Sequence, residues 1–256
     1  KIKPYQPIMN NLLKGKKGII FGALDENSIA WKVALKAKEQ GAEFVLSNAP
    51  VALRLGKISE LAELCDTTVI AADATNVEDL ENLFDQAIEK YGKLDFILHS
   101  IGMSPNVRKN KAYTELNYDW FLKTLDISAL SFHKVLQVAY QKDALNEWSS
   151  VVALTYIAAQ RTFPGYNDMA EAKATLESIA RSFGYHYGTK KNVRVNTISQ
   201  SPTMTTAGSG VKGFDVFYDY ANKLSPLGNA SSDSCADFTI ALFSDLSRMV
   251  TMQNLF

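Results

Sequence analysis

Six short, continuous apolar runs alternate with segments of helical periodicity along this chain. The runs are Gly18–Phe21, Phe44–Leu46, Thr68–Ala72, Leu94–Leu98, Ser150–Thr155 and Val193–Ile198. Between the first two, Ser28–Gln40 repeats Ile29, Val33, Ala34 and Ala37 on one face and stops at Gly41. Val77–Lys90 does the same with Leu80, Leu83, Phe84, Ala87 and Ile88, capped by Asn76 and stopped by Gly92. Further helices are expected at Lys57–Leu64, Trp120–Gln141, Met169–Tyr187 and Asp233–Phe243, a loop at Ser199–Gly213, and the start of a last strand at Val250–Phe256. Strands that are apolar at every residue are buried on both faces. Alternating with helices, they demand a parallel sheet covered on both sides, with right-handed crossovers. The expectation is an α/β, doubly wound, Rossmann-type sheet in a single domain.

The remaining classes are narrowed by composition. Lys+Arg and Asp+Glu number 27 each, so there is no basic excess to suggest a nucleic-acid partner. Cys65 and Cys235 lie far apart, without the close pairing of a zinc site or a disulfide framework, and fit a reducing cytoplasm. No apolar run approaches the roughly 18–20 residues of a membrane helix, so no membrane insertion is expected. Lys1–Ile8 is basic and lacks the apolar core of a signal peptide. It reads as an added leader, with Met9 as the natural start of a 9–256 domain.

In a doubly wound sheet the ligand lies beyond the carboxyl ends of the strands. The first such turn, Gly22-Ala23-Leu24-Asp25-Glu26-Asn27-Ser28-Ile29, follows a strand and opens a helix, the setting for a pyrophosphate. It has one glycine instead of three, and Ser28 is as readily a plain helix cap as a phosphate ligand. Asp73 after the third strand can accept from an adenine amino group or simply favour a helix N-terminus. Ser100-Ile101-Gly102 after the fourth strand lets a ribose and nicotinamide approach the backbone, or is an ordinary turn. Tyr166 and Lys173 are spaced by nearly two helical turns, so both can face one way. An ammonium beside a phenol lowers its pKa, and such a tyrosine can serve a developing oxyanion. With 11 tyrosines in the chain, however, a Tyr/Lys pair also arises by chance. Tyr156, ending the fifth strand, should reach the same place. Tyr187 and Lys191 form a rival pair, but they lie before the sixth strand, at the wrong end of the sheet. His99, His133 and His186 have no metal-ligand spacing. Arg54 and Arg108–Lys111 read as solvated charge, the latter placed where an acidic partner can meet the site mouth.

Together these segments resemble the enoyl-acyl-carrier-protein reductases, a divergent branch of the short-chain dehydrogenase/reductase superfamily. The likeness runs from about Leu12 onward. It rests on the Gly22…Ser28-Ile29-Ala30 turn, Leu98–Gly102, Asn192–Asn196, the segment Pro202–Phe214, and Tyr156…Tyr166 with six residues before Lys173. The resemblance implies that a nicotinamide dinucleotide gives hydride to the β-carbon of a trans-2-enoyl thioester, the last step of each fatty acid elongation cycle. Tyr166 would hydrogen-bond the enolate oxygen, Lys173 the ribose, and Tyr156 would line the acyl pocket and share the proton role. Gly22, Ser28, Ile29, Asp73, Ala74, Ser100, Ile101, Gly102, Lys173 and Thr203–Ala207 (Thr203, Met204, Thr205, Thr206 and Ala207) would hold the cofactor. Ser104 would touch substrate together with Tyr156 and Tyr166, under a lid at about 203–220. The expected partner is an acyl carrier protein, and the expected assembly a cytoplasmic homotetramer packed on Trp120–Gln141 and Met169–Tyr187.

Two departures bear on this. Ser201-Pro202-Thr203 stands where the family has Gly-Pro-Ile, and the chain reaches Phe256 without the Asp-Gly-Gly close, so the last strand is expected to be incomplete. The second strand ends Ser47-Asn48-Ala49-Pro50, with no acid for a ribose 2′-hydroxyl and no adjacent arginine for a 2′-phosphate; NADH is expected ahead of NADPH. The competing readings are a superfamily reductase acting on a carbonyl or dienoyl substrate, and a dinucleotide-sensing regulator without catalysis.

Overall fold

Strand β1 (Lys17–Phe21) lies inside a seven-stranded parallel sheet, flanked by β2 (Glu43–Asn48) and β4 (Leu94–His99). The full order is β3-β2-β1-β4-β5-β6-β7, with β3 (Thr68–Ala71), β5 (Leu145–Thr155), β6 (Arg194–Ser199) and β7 (Asn254–Leu255). The structure is a computed structural model that describes residues 11–206, 208 and 213–256; the expectation for Lys1–Ile8 falls outside them.

The pleat sends alternate residues to two separate cores. Ile19, Phe21, Ile97, Val151 and Ala153 join one core. Helices α4 (Val77–Tyr91), α7 (Ser131–Gln141) and α8 (Met169–Lys191) cover it. Ile20, Phe96, Leu98, Val152 and Leu154 join the other, beneath α1 (Ile29–Glu39), α3 (Ile58–Cys65) and α10 (Ser232–Phe243). Both cores are made by β1, which explains why its apolar run is unbroken. The order reverses at β1: the chain winds outward to β3 and then returns to β4 on the other side. The connecting loops part there and leave a crevice.

Several elements differ from the sequence expectation. Helix α2 (Pro50–Leu55) has Pro at its start and no buried residue, so no periodic face announced it. The expected single helix Trp120–Gln141 is α6 (Tyr118–Leu125) and α7 joined by a π-helical turn, Asp126–Leu130. That turn places Ser128 Oγ where it accepts from Met103 N–H at 2.9 Å and donates to Met103 O at 3.1 Å. Helix α9 (Phe214–Leu224) also buries no residue completely and carries exposed Val216, Tyr220 and Leu224. β5 starts earlier than Ser150, but with Trp148 at φ 63° the register shifts between Leu94 and Phe96. β7 pairs Asn254 and Leu255 with Thr197 and Ile198 of β6. Among the described residues, no helix is long and apolar enough to cross a membrane, and no group of acidic, histidine or cysteine side chains is placed to hold a metal.

Candidate functional site

A cavity of about 890 Å3 opens at the carboxyl ends of β1, β4 and β5. Its floor at the β1 end is Gly22, at φ 94°; a Cβ there would sit 2.0 Å from Ser100 O. The close approach of the two strand ends therefore admits glycine alone. Ser28, Ile29, Ser100, Ile101 and Gly102 also line this part. Ser28 occupies the N-cap position of α1 without capping it. Its Oγ donates to Asp25 O at 2.7 Å and accepts from Leu24 N–H at 3.3 Å, so the hydroxyl braces the loop rather than the helix.

At the β2 end, Asn48 is committed to structure. Its Nδ2 donates to Ala23 O at 2.9 Å and its Oδ1 accepts from Ala49 N–H at 2.9 Å. Beyond it the wall is apolar: Ala49, Val51, Ala52 and Leu55. Arg54 does not line the cavity. Asp73 and Ala74 line it from the end of β3, where Asp73 Oδ1 accepts from Thr75 N–H and Thr75 Oγ1 at 2.9 and 2.7 Å. Asp73 thus forms an Asx-turn at the edge of the cavity.

The other end holds the two tyrosines. Tyr156 and Tyr166 rings lie 5.0 Å apart, and Phe163 and Phe217 complete the cluster at 4.6 Å from each other. Phe217 belongs to α9 and brings that helix to the site. Helical spacing does not bring Tyr166 and Lys173 together, contrary to expectation. Tyr166 precedes α8, and Asn167 at φ 47° breaks the register between them. Both nevertheless line the cavity, with Tyr166 O accepting from Met169 N–H at 3.2 Å where the turn meets the first residue of α8.

The electrostatics are also the reverse of the expectation. Burial pushes the Tyr166 phenol up from its ordinary value, with the neighbouring Tyr156 adding to it. Burial raises Tyr156 as well. Tyr166 therefore keeps its proton, because removal of water penalises phenolate and no ammonium among the described residues bonds the oxygen. The Lys173 ammonium instead donates to Leu154 O at 2.8 Å. Burial pulls Lys173 down to about 8, opposed by the Glu177 carboxylate one turn on. Glu177, itself buried, accepts from Thr155 Oγ1 at 2.9 Å, Gln160 Nε2 at 3.2 Å and Asn254 Nδ2 at 3.2 Å. It fastens α8 to the ends of β5 and β7.

Thr203, Thr205 and Thr206 line the cavity from its third side. Thr206 Oγ1 bonds Asp25 Oδ2 at 2.6 Å, tying this segment to the glycine turn. Met204 is not in the lining and is 56% exposed, and Ala207 lies outside the described residues. Ser104 lines the cavity, with its side chain turned inward to Asp168 at 2.6 Å. His99 is buried behind Phe132, and burial holds it down at about 3. Ser131 gives its one hydroxyl proton to Ile127 O at 2.6 Å, so His99 Nε2 must be the donor in its 2.8 Å contact with Ser131. Tyr187 and Lys191 sit at the opposite edge: Lys191 donates to Leu145 O at 2.8 Å and pairs with Asp143.

Sequence reasoning missed Phe163, Phe217, Glu177 and the Leu154 carbonyl. Glu177, four residues after Lys173 on an expected helix, was open to discovery. The others had no local signal, since a backbone acceptor and a lid aromatic are selected by what folds next to them.

A doubly wound sheet with a glycine turn at its switch point and a deep cavity above it places the chain in the dinucleotide-binding class. The family model described as "Enoyl-(Acyl carrier protein) reductase" matches residues 22–256. Enoyl-[acyl-carrier-protein] reductase [NADH] 2 of Rhizobium meliloti is 33% identical over 244 residues, 95% of this chain and 90% of that protein. The crystal structure of the FabI–NADH complex from Alistipes finegoldii aligns with TM-score 0.95 and 67% identity, over 96% of this chain and 87% of that one. The Bacillus cereus enoyl-acyl carrier protein reductase, solved with NADP+ and indole naphthyridinone, aligns with TM-score 0.89 at 29% identity, covering 95% of each. The chain belongs to the enoyl-acyl-carrier-protein reductase family.

Proposed function

We infer that this chain is an oxidoreductase that reduces the trans-2 double bond of enoyl thioesters carried on acyl carrier protein, using NADH. The single observation that carries the reading is one cavity bounded by the Gly22 turn at one end and by Tyr156, Tyr166 and Lys173 at the other, in a chain of this family. The residues fit a dinucleotide. Gly22 lets the ends of β1 and β4 close on each other so that both turns border the cavity, and a Cβ at Gly102 would lie 3.5 Å from Lys173 Nζ, so the cation reaches the strand end where a ribose would rest. Gly22, Ser28, Ile29, Asp73, Ala74, Ser100, Ile101, Gly102, Lys173, Thr203, Thr205 and Thr206 are the residues we assign to holding it.

When bound, NADH would supply the hydride for the β-carbon, and a proton taken up at the α-carbon, from Tyr156 or from solvent, completes the reduction. Tyr166, protonated and packed on Tyr156, donates a hydrogen bond to the thioester oxygen as it gains charge. Lys173, held by Leu154 O, keeps a positive charge beside that oxygen and binds ribose hydroxyls. Tyr156, Phe163 and Phe217 make an apolar wall for the acyl chain and exclude water, with the 203–220 segment as the lid. NADH is favoured over NADPH because Asn48 is spent on Ala23 and the wall beyond it carries no cation among the described lining residues. We further propose a cytoplasmic homotetramer packed on α6–α7 and α8, which sedimentation at micromolar concentration would contradict by showing a monomer.

The test is loss of NADH absorbance with a crotonyl or 2-dodecenoyl thioester, repeated with NADPH. Turnover with a preference for NADH is expected. NADH binding without turnover would overturn the reaction in favour of a carbonyl or dienoyl substrate, or of a regulator. A preference for NADPH would overturn the reading of Asn48.

Lys173 gives a pH prediction. Its protonated form is the binding form, and its folded value is depressed to about 8. NADH affinity of the free enzyme should therefore hold below that pH and fall as pH rises through it. Lys173→Ala should weaken NADH binding by roughly tenfold or more at neutral pH, about 1.4 kcal/mol. Calorimetry across pH reads both, and a flat profile would remove the lysine from cofactor binding.

A further inference from the structure

Asp168 is a fully buried carboxylate that the reaction does not use. It has no cation partner among the described residues. Three side chains approach it instead: Ser104 Oγ donates to Oδ1 at 2.6 Å, Asn106 Nδ2 to Oδ2 at 2.8 Å, and Thr124 Oγ1 lies 2.8 Å from Oδ2, sharing its one proton between that carboxylate and Trp120 O at 2.8 Å. All three donors are themselves buried. They come from three separate pieces: the loop after β4, the short helix α5 (Pro105–Arg108), and α6. Asn106 extends the connection, donating to Asn117 O at 3.1 Å and accepting from Asn117 N–H at 3.0 Å. Next door, Asn167 Nδ2 donates to Lys111 O at 2.6 Å.

We propose that Asp168 is a positioning residue, which through these bonds sets the place of the Tyr166 turn against the Ser104 wall of the cavity. Tyr166 lies two residues before it, so the carboxylate anchors the turn that carries the tyrosine, while Lys173, five residues on and inside α8, is held by its own bond to Leu154 O. The facing wall, Met103 and Ser104, is held from behind by Ser128 and by Asp168. A shift at this anchor alters the gap between the Tyr166 hydroxyl and whatever the Ser104 loop contacts. The inference rests on the reductase reading for its kinetic readout.

Geometry, not charge, is the property at work, and this separates two variants. Asp168→Asn keeps an oxygen for Asn106 and Thr124 and turns its NH2 to Ser104 Oγ, which has a second lone pair beside the one taken by Val107 N–H. It should retain kcat within about threefold. Asp168→Ala leaves the Ser104 hydroxyl and one Asn106 N–H buried without their acceptor and releases Thr124 to Trp120 O alone. It should lower kcat by about tenfold or more while NADH affinity stays within about threefold. The Asp168→Ala protein losing NADH affinity and kcat in equal proportion would overturn the proposal, as would wild-type kcat, or an Asn variant as slow as the Ala one. Should the Ala variant not fold, Thr124→Val removes one donor at similar shape, and unchanged kcat there would also overturn it. If wild-type protein turns over no enoyl thioester, the reaction falls and the anchor does not. It is then read by hydrogen exchange of the Met103, Ser104 and Asn106–Arg108 amides, expected to be faster in the Ala variant and near wild type in the Asn variant; equal exchange in all three would overturn it.

Discussion

Tyr166→Phe is expected to lower turnover with an enoyl thioester by roughly 10²–10³-fold, the cost of removing one donor to a developing oxyanion. NADH affinity should stay within about threefold of wild type. The substitution deletes one oxygen and keeps the ring, so the contact with Tyr156 at 5.0 Å survives and the turn keeps its shape. The oxygen it deletes takes no hydrogen bond from the described residues and belongs to the cavity. Because burial raises its pKa, the phenol is a donor throughout the neutral range and does not act as a phenolate base. The alkaline limb of the pH profile should therefore track Lys173 near 8 and not the tyrosine. Steady-state kinetics with calorimetry test this directly. Wild-type turnover in Tyr166→Phe would remove the residue from the mechanism.

Gly22→Ala has the second large effect, and it acts on binding. The added Cβ would stand 2.0 Å from Ser100 O on a backbone at φ 94°, where side chains are strained even without a clash. Neither partner yields cheaply. Gly22 follows β1 and Ser100 follows β4, and those strands are paired up to Phe21 and His99. Relief must come from moving the turn, which carries Leu24, Asp25 and Ser28 and their bonds with it. NADH binding should weaken by roughly 100-fold, about 2.7 kcal/mol. The melting temperature should fall by several degrees, as expected for about 1–2 kcal/mol of left-handed strain. Near-wild-type NADH affinity in a folded Gly22→Ala protein would show that the turn does not meet the cofactor.

These two cases differ in how far the sequence foretold them. Gly22 was legible, because a glycine between an apolar run and a helix start signals a turn whatever surrounds it. The requirement for glycine came from Ser100, which is remote in sequence and adjacent only in the sheet. Tyr166 was legible as a candidate through its spacing from Lys173, yet the reasoning behind that spacing failed. The two do not share a helix, and the lysine does not lower the tyrosine's pKa. Ser28 was read as a helix cap or a phosphate ligand; it does not cap α1, and its hydroxyl braces the turn. Ser104 was placed correctly in the cavity lining, while its hydroxyl points away to Asp168.

The alternation of strands and helices, the parallel sheet and the end of it that holds the cavity were all present in the sequence. Apolar periodicity, caps and glycine stops act within a few residues, and burial on both faces follows from them. The protonation states, the acceptor of the Lys173 ammonium, the closure of α9 over Tyr156 and the Asp168 anchor were decided by the tertiary structure alone. Each depends on water being excluded by segments far apart in the chain, and desolvation belongs to the assembled surroundings of a group, not to its neighbours in sequence.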